Sequence, residues 1–410
     1  MTILADRLVA ARKACGLNQD TAAVHLGMSR PTFIAIEKGT REPKPSELLG
    51  LAKLYNTSVN ALLRQSTPPL KIAPHLRSVM DKSRRLGDTA DMPESNPGLD
   101  DAISKLTTLV DDYQFLEAKT QNHGALNAPP RRSHYHGNLN HFAELCAQEE
   151  RVRLGIGTHE PIAELRKTLE EVGVHVFLDG LDSKLAGLYA FVETFGYCIL
   201  VNRKHPRVRR RWTIAHEYGH FLFDRDRPGV DYLEPMLRKP ENERFADAFA
   251  AAFLMPNAGV ERRFSQIFEQ NRDVNVGDVC RMANFYGVSL AAMTLRLEYL
   301  GHVPKGSWDS IKASGVRVTD IQAEAGVNEQ CDSDSLELFP ERYIMLAVQA
   351  WFSETISIGQ FAKLLRRSPI EARELAQRRS RLFDDASGKS EQLSIRLTDS
   401  LFAERAPQAA

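Results

Sequence analysis

The chain has 410 residues, of which 43% are hydrophobic and 26% are charged, and its 53 Lys and Arg equal its 53 Asp and Glu. This composition is typical of a globular protein with a buried core, and it excludes disorder of the whole chain. The neutral balance excludes a global attraction to nucleic acid or to a membrane, so such a partner must meet a local patch.

Membrane, secretory and disulfide-rich classes fit the sequence poorly. The longest near-apolar stretch, 245–255, contains Asp247 and is too short to span a bilayer, so we expect no membrane partner. Charges interrupt the apolar pattern of the N-terminal residues, so we expect no signal peptide. The five cysteines are scattered without a CxxC pair, which argues against a disulfide framework and predicts a reducing, cytoplasmic environment.

Composition and periodicity divide the chain into five segments. We predict a helical domain at 1–65, a partly helical connector at 66–150, an α/β domain at 151–305, a helical region at 306–385 and a disordered tail at 386–410. Apolar residues near helical spacing predict one helix at 103–119, inside the connector.

The first segment shows the start and stop signals of short helices. Asn18 and Ser29 are in capping positions, and Gly16 and Gly27 end the helices before them. The predicted helices cover 4–15, 19–26, 30–37, 46–56 and 58–63. The second and third are joined by a short turn containing Gly, which is typical of a helix-turn-helix unit. A small helical bundle without a nucleic-acid role is the alternative.

The order of residues in this segment closely resembles the XRE/Cro-like family of helix-turn-helix DNA-binding domains. The matching residues are Arg12, Gly16-Leu17-Asn18-Gln19, Ala22-Ala23, Leu26-Gly27-Met28-Ser29-Arg30, Ile36-Glu37-Lys38-Gly39, Pro43 and Pro45. The resemblance implies a double-stranded DNA operator as partner, a recognition helix from Ser29 to Lys38, and a homodimer on paired half-sites. The implied base contacts come from Arg30, Thr32 and Ala35, and the implied phosphate contacts from Gln19, Ser29, Thr40 and Arg41.

A second motif lies at 216–220. His216 and His220 are four residues apart in a segment whose apolar residues predict a buried helix, so both imidazoles share one helix face. Glu217 lies beside the first histidine, where it can reach a water held by the same ion. This HExxH spacing is that of two metal ligands and a general base. Two core histidines without an ion are the alternative.

A catalytic zinc site requires a third protein ligand. Glu243 lies at the start of a predicted helix whose small residues allow close packing against the HExxH helix. The sequence pattern alone does not identify which acidic residue of this region is the third ligand. The other candidates are Asp224, Asp226, Glu234, Glu241 and Asp247.

From Leu154 to Val303 the sequence is similar to the ImmA/IrrE family of metallopeptidases. The matching pieces are 155–177, Leu200-Val201-Asn202, 211–220, Glu243, Phe249-Ala250, 253–256 and 287–303. The resemblance implies an α+β zincin-like fold, Zn²⁺ bound by His216, His220 and Glu243, and Glu217 as the catalytic base of peptide-bond hydrolysis. The same donors also hold other first-row ions. At position 245 this chain has Phe, where relatives often have Glu or Gln. The difference affects the expected hydrogen bonding around the ligands more than the expected metal binding.

Residues 187–202 predict two antiparallel strands with a turn at 193–196. We therefore expect a small antiparallel sheet, with an edge strand in this hairpin that holds an extended substrate. A sheet that only supports the helices is the alternative.

The region 338–379 predicts two or three amphipathic helices. Its part from Gln360 to Ile370 resembles a second, weaker helix-turn-helix and is locally basic. We interpret this region as a helical support or a dimer element, with a second helix-turn-helix as the alternative.

The two resemblances together imply regulation by proteolysis. We predict a DNA-binding transcriptional regulator whose zinc-dependent peptidase domain hydrolyses a bond in a repressor protein, for example in a stress response. The alternative is a non-catalytic regulator or antitoxin whose zinc domain binds or senses a partner, such as a toxin. The intact Glu217 favours the enzyme, whereas fusion to a DNA-binding unit favours the regulator.

Overall fold

The computed structural model describes residues 3–15, 17–55, 59, 62, 97–123, 129, 132, 137–192, 195–224, 229–232, 240–327 and 337–380. Most of the predicted helix at 58–63 and the whole predicted tail at 386–410 lie outside these residues, and so does the connector from 66 to 96.

Four helices form the N-terminal part of the chain, at positions close to those that the caps predict. They are α1 (Ile3–Ala14), α2 (Gln19–His25), α3 (Arg30–Glu37) and α4 (Pro45–Leu54). The Asn18 side chain accepts a hydrogen bond from the backbone N–H of Thr21 (2.7 Å), and Gly27 adopts a φ of +63° in the turn before α3. Phe33 and Leu51 are fully buried in a core that belongs to these helices.

A buried ion pair joins α1 to α3. The Arg12 Nε donates to Glu37 Oε1 at 2.7 Å, and Arg12 Nη1 donates to the backbone oxygen of Leu17 at 2.8 Å. Glu37 is 2% exposed. Because a buried charge is costly without a partner, this pair fixes how α1 and α3 meet.

The α/β region contains a four-stranded sheet with the order β1-β3-β2-β4. The strands are β1 (Val174–Asp179), β2 (Leu185–Val192), β3 (Gly196–Asn202) and β4 (Gly229–Tyr232). The predicted hairpin is confirmed, since β2 and β3 pair antiparallel in the register Tyr189 with Ile199.

The fold class is confirmed, with one difference: the sheet is mixed rather than antiparallel. Strand β1 runs parallel to β3, in the register Val176 with Ile199. The prediction of an edge strand in the hairpin is wrong. Both hairpin strands are interior among the described strands, because β4 pairs with β2 and β1 pairs with β3.

Five helices pack on this sheet or on the helices that touch it. They are α5 (Pro97–Thr120), α6 (Leu139–Arg153), α7 (Leu165–Glu170), α8 (Arg207–Asp224) and α9 (Glu241–Leu254). Helix α8 packs on one face of β2 and β3 and also packs against α9. On the other face, Tyr113 of α5 contacts His175 and Phe177, with ring centroids 4.7 and 6.3 Å apart. The predicted helix at 103–119 is therefore part of the packing of the sheet.

The remaining described helices follow in chain order. They are α10 (Asn257–Asn271), α11 (Val276–Tyr286), α12 (Leu290–Leu300), α13 (Ser307–Ala313), α14 (Val318–Glu324), α15 (Glu341–Phe352), α16 (Ile358–Leu364) and α17 (Pro369–Ser380). The chain divides into two units, 1–343 and 344–410. Within the described residues, every helix is too short or too polar to cross a bilayer.

Candidate metal centre and nucleic-acid interface

Helix α8 brings the HExxH residues into the interior. Its apolar residues pack against the sheet and α9, so His216, Glu217 and His220 are buried, at 4%, 1% and 2% exposure. The four-residue spacing places the two imidazoles one helical turn apart, with ring centroids separated by 4.9 Å.

A close helix–helix contact positions Glu243. A Cβ atom on Gly219 of α8 would lie 3.0 Å from Cα of Ala246 in α9, so the two backbones approach as closely as a glycine allows. This contact brings the first turn of α9, which carries Glu243, to the two histidines of α8.

His216, His220 and Glu243 form one cluster of donor atoms. The two histidine Nε2 atoms are 3.2 Å apart. The Glu243 carboxylate oxygens lie 3.3 Å from Nε2 of His216 and 3.2 Å from Nε2 of His220. Two ligand atoms on a tetrahedral zinc, each about 2.0–2.1 Å from the ion, are about 3.3 Å apart. The donor set and its spacing therefore fit a zinc ion.

Each histidine is held by a carboxylate on its other ring nitrogen. The Nδ1 of His216 donates to Oδ1 of Asp247 at 3.1 Å, and the Nδ1 of His220 donates to Oδ1 of Asp224 at 3.0 Å. Asn242 donates to the second oxygen of Asp224 at 3.1 Å. A proton on Nδ1 leaves the lone pair of Nε2 directed at the cluster, which is the usual arrangement around a metal-binding histidine.

The structure thus separates the acids that the sequence left as rivals. Glu243 lies in the cluster, whereas Asp224 and Asp247 lie behind the histidines. Glu241 is exposed at the start of α9. Asp226 and Glu234 lie outside the described residues.

The electrostatics of the cluster favour a cation. Burial lowers the pKa of the His220 imidazole, but hydrogen bonds to Asp224 and Glu243 outweigh burial and raise this pKa to about 9. Burial raises the pKa of the Glu243 carboxyl, but hydrogen bonds from both histidines outweigh burial and hold this pKa well below its usual range. Positive charge at Nε2 is therefore stabilised by the surrounding carboxylates.

Glu217 lies between the histidine turn of α8 and strand β2. The backbone oxygen of Glu217 accepts a hydrogen bond from the Tyr197 hydroxyl at 2.8 Å. A Cβ atom on Gly187 of β2 would lie 2.8 Å from Cγ2 of Thr213 and 3.9 Å from Oε1 of Glu217. Glycine at 187 therefore lets β2 lie directly against the Glu217 carboxylate.

The aromatic residues Phe245 and Tyr218, which adjoin the motif residues in the sequence, make contacts away from the donor atoms. Phe245 is fully buried and stacks on Phe223, with ring centroids 4.6 Å apart, so it lies in the core rather than beside the donor atoms. The Tyr218 hydroxyl donates to Glu150 at 2.7 Å and accepts from Arg153 at 2.8 Å. Tyr189 was not predicted as part of the site, yet its ring stacks on His220 at 5.0 Å.

A cleft of about 740 Å³ opens beside the cluster. Its lining includes Trp212, Arg209, Arg244, Asp247, Leu295 and Tyr299. Leu295 and Tyr299 are each 50% exposed. Asp247 lines the cleft and also accepts the hydrogen bond of His216, so this one side chain connects the cleft to the donor cluster.

The predicted DNA-contacting residues lie on and around α3. Arg30 is exposed at the start of the helix, where its Nε lies 3.1 Å from Oδ1 of Asp20, and Thr32 and Ala35 are half-buried. The Ser29 and Thr32 hydroxyls are 2.8 Å apart. The start of the predicted recognition helix therefore presents these side chains at the surface.

The other predicted phosphate contacts have partners within the N-terminal helical region. Gln19 donates to Oε2 of Glu37 at 2.7 Å, and Thr40 donates to the backbone oxygen of Ala35 at 3.0 Å. Arg41 makes two hydrogen bonds to Glu47, each of 2.9 Å. These side chains shape the region around α3, and any phosphate contact would compete with those bonds.

Two family models match the chain, and each covers one of these two sites. The model of a helix-turn-helix domain matches residues 3–64, and the model of the IrrE N-terminal-like domain matches residues 169–298. The chain carries a helix-turn-helix domain and an IrrE N-terminal-like domain of the ImmA/IrrE peptidases. The IrrE-like domain includes the whole donor cluster and Glu217. A comparison with curated proteins gives no match.

Proposed function

We propose that this protein is a DNA-binding transcriptional regulator whose IrrE-like domain is a zinc-dependent endopeptidase that cuts a repressor protein. The observation that carries the proposal is the buried donor cluster of His216, His220 and Glu243, with Glu217 beside it and a carboxylate behind each histidine. The helix-turn-helix domain supports the DNA-binding part.

In this proposal the three donors hold the ion, Glu217 transfers the proton, and the neighbouring cleft binds the substrate. A zinc ion in such a site supplies Lewis acidity, which makes water a nucleophile near neutral pH and polarises a peptide carbonyl. Asp224 and Asp247 keep the two imidazoles oriented through Nδ1.

Glu217 is the candidate general base. Its side chain is buried beside β2, so its position relative to the two histidines is fixed. It accepts a proton from the attacking water and passes that proton to the leaving amine. The neighbouring cleft, with its apolar and basic lining, is the candidate binding surface for a segment of the repressor.

The experiment compares wild type with Glu217→Gln, which keeps the shape of the side chain and removes the base. Glu261→Gln, at an exposed position of α10, is the matched control. We would measure zinc content by mass spectrometry, and cleavage of the chain itself and of co-encoded helix-turn-helix repressors. We expect about one zinc per chain in all three proteins. Cleavage is expected in wild type and the control only.

Equal zinc content with equal cleavage in Glu217→Gln and wild type contradicts the assignment of the base. Equal zinc content with cleavage by none of the three, together with unchanged repression in cells, favours the non-catalytic regulator or antitoxin. Loss of zinc on His216→Ala but no loss on Glu243→Ala would remove Glu243 from the ligand set.

A further inference from the structure

The second unit contains a helix pair that repeats the local geometry of the N-terminal helix-turn-helix. Helix α16 and helix α2 each have seven residues, and each is followed by a turn of four residues before α17 and α3. A constant offset of 339 residues relates the two pairs. Ser357 and Ser368 are the N-caps that correspond to Asn18 and Ser29.

Three backbone hydrogen bonds of the two turns correspond. In both, one residue takes the left-handed conformation, Gly27 at a φ of +63° and Arg366 at +51°. The backbone bonds of the first turn are Leu26 N–H to Ala22 O (3.2 Å), Gly27 N–H to Val24 O (3.0 Å) and Met28 N–H to Ala23 O (3.0 Å). Those of the second are Leu365 N–H to Phe361 O (3.1 Å), Arg366 N–H to Lys363 O (3.1 Å) and Arg367 N–H to Ala362 O (3.0 Å).

The buried positions agree as well. Phe361, Ala362, Ala372 and Leu375 are buried at the positions of Ala22, Ala23, Phe33 and Ile36. Trp351 of α15 stacks on Phe361, with ring centroids 5.2 Å apart and planes 6° apart. The α16–α17 pair therefore buries the same helix positions as the α2–α3 pair, on either side of the same turn.

A third copy of the turn lies between α11 and α12 of the IrrE-like domain. It shows that the turn alone does not determine whether the second helix is exposed to a duplex. Gly287 is left-handed, and Val288 N–H donates to Ala283 O at 3.0 Å. However, Leu290 and Thr294, at the positions of Arg30 and Ile34, are buried. The exposed part of this helix start is apolar, since Leu295, at the position of Ala35, is 50% exposed. The start of α12 therefore offers a duplex no cation.

Helix α17 has the opposite character. Pro369, Glu371, Arg373 and Glu374, at the positions of Arg30, Thr32, Ile34 and Ala35, are all exposed. Residues 357–380 contain six Lys and Arg and two Glu, a net charge of +4. Glu371 is engaged locally, since it accepts from the backbone N–H of Ser368 at 2.8 Å. Helix α17 itself carries three Arg and two Glu, a net charge of +1, and the other three cations lie in α16 and the turn. The basic charge of the pair as a whole therefore matches a phosphate backbone.

We propose that α16 and α17 form a second DNA-binding helix-turn-helix, so that each chain contacts double-stranded DNA through two separate helix pairs. The inference is independent of peptidase activity. It replaces our interpretation of this region as a support or dimer element.

The test uses the full chain and a fluorescent duplex of about 40 mixed-sequence base pairs, which suffices for backbone contacts. Binding is followed by anisotropy at several KCl concentrations. The variant Arg373→Ala/Arg378→Ala removes two exposed cations of α17. The matched control, Lys312→Ala/Arg317→Ala, removes two exposed cations at α13 and just before α14.

Each phosphate contact contributes about 0.9 to the slope of log K against log salt. We expect the α17 variant to lose about 1–2 from this slope and several-fold in affinity at low salt, and the control to behave as wild type. The same loss is expected in an Arg30→Ala background, because the two helix pairs bind independently. Arg373→Lys/Arg378→Lys, which keeps both charges, is expected to restore the slope.

The proposal is overturned if the α17 variant and the control have the same slope. It is also overturned if the α17 variant changes only the mass of the free protein in light scattering, which identifies a dimer element. Thermal melting checks that the variants are folded. If the Ala variant does not fold, the Lys variant decides. That variant keeps both cations, so a reduced salt slope in it would contradict a contact with the phosphate backbone.

Discussion

The two carboxylates behind the histidines are the residues on which the proposed metal centre depends most directly after the proposed ligands. Asp247 bonds His216 and Asp224 bonds His220, so each imidazole has a fixed ring orientation and a fixed tautomer. Asp224 is nearly buried and is itself bonded by Asn242, whereas the Asp247 side chain is 31% exposed. Asp247 is thus the one that can be replaced with little cost to folding.

We expect Asp247→Ala to weaken zinc binding by about 10–100-fold while the melting temperature without metal changes little. The reason is that His216 loses the acceptor that orients it. Zinc affinity is measured by competition with a chromophoric chelator. Glu261→Ala, at an exposed acid of α10, is the control and is expected to bind zinc as wild type does. Equal affinities in the two variants would contradict the role of Asp247.

A buried histidine on the far face of the sheet predicts a pH dependence of stability. Burial lowers the pKa of His175 to about 4, although its Nε2 donates to the backbone oxygen of Phe195 at 3.2 Å. The ordinary pKa of 6.5 holds in the unfolded chain. Between pH 6.5 and pH 4 the unfolded chain therefore binds more protons, so stability is fully present above pH 6.5 and decreases as the pH falls toward 4.

We expect His175→Phe to reduce the loss of unfolding free energy between pH 7 and pH 5 by about 2 kcal/mol. Phenylalanine fills the space between Tyr113 and Phe195 and does not titrate. The measurement is urea unfolding at both pH values, followed by tryptophan fluorescence. His25→Gln, on the exposed face of α2, serves as the control. An unchanged pH dependence in His175→Phe would show that another group is responsible.

The sequence predicted the residues of the candidate site unequally. The spacing of His216 and His220 is a property of one helix, so local pattern sufficed. The choice of Glu243 over Asp224 and Asp247 depends on how two helices meet, and single-sequence periodicity does not contain that information. The resemblance to a family supplied it, and the geometry agrees with that choice without testing it.

At the scale of elements, the meeting of α8 and α9 sets the site. Gly219 faces Ala246 so closely that a methyl group would lie 3.0 Å from Cα of Ala246 and 3.2 Å from Cδ1 of Phe249. Neither is the mobile end of a flexible side chain. The distance between these helix axes therefore controls the distance between the histidines and Glu243.

We expect Gly219→Ala to destabilise the domain by about 1–3 kcal/mol, despite the better helix propensity of alanine, because the added methyl group forces the helices apart. Zinc affinity should fall in the same variant, since Glu243 moves away from the histidines. Thermal unfolding and chelator competition measure the two effects. Gly359→Ala, in α16 with its nearest neighbour atom at 3.9 Å, is the control and should leave both unchanged. A stable Gly219→Ala protein with full zinc affinity would contradict this account.

The elements themselves were predicted best where capping residues mark them. Asn18, Gly27 and Ser29 gave the bounds of α2 and α3 to within a residue, because caps and left-handed turns are local. The direction of β1 was not predictable in this way. A buried strand is apolar on both faces, so its pattern contains no signal for a parallel partner, and β1 joined β3 in parallel.

At the scale of the whole molecule, two separate hydrophobic cores matter. One contains residues of α1 to α4, including Phe33, and the other contains residues of the IrrE-like domain, including Phe249. The donor cluster belongs to the second core. Metal binding should therefore stabilise one core and leave the other unaffected.

We expect removal of zinc by a chelator to lower the melting temperature of the IrrE-like domain by several degrees, because a ligand bound at about 100 times its Kd adds about 2.7 kcal/mol to stability. DNA affinity, measured by anisotropy, should stay within about twofold, since the DNA-binding core holds no part of the cluster. Calorimetry with and without chelator measures the first effect. A His216→Ala/His220→Ala protein is the control and should melt identically in both conditions. A parallel loss of DNA affinity on chelation would show that the metal acts on the helix-turn-helix as well.

The glycine at 187 has a consequence for comparing this chain with others of its kind. Any larger residue there must displace β2 from α8, because its first carbon would overlap Thr213 and the backbone of Leu200. A related chain could thus retain every residue of the HExxH motif and still separate Glu217, the proposed base, from β2. If the proposed peptidase activity holds, position 187, rather than the motif, is where inactive relatives should be sought, and a survey of natural variants can use it as a marker.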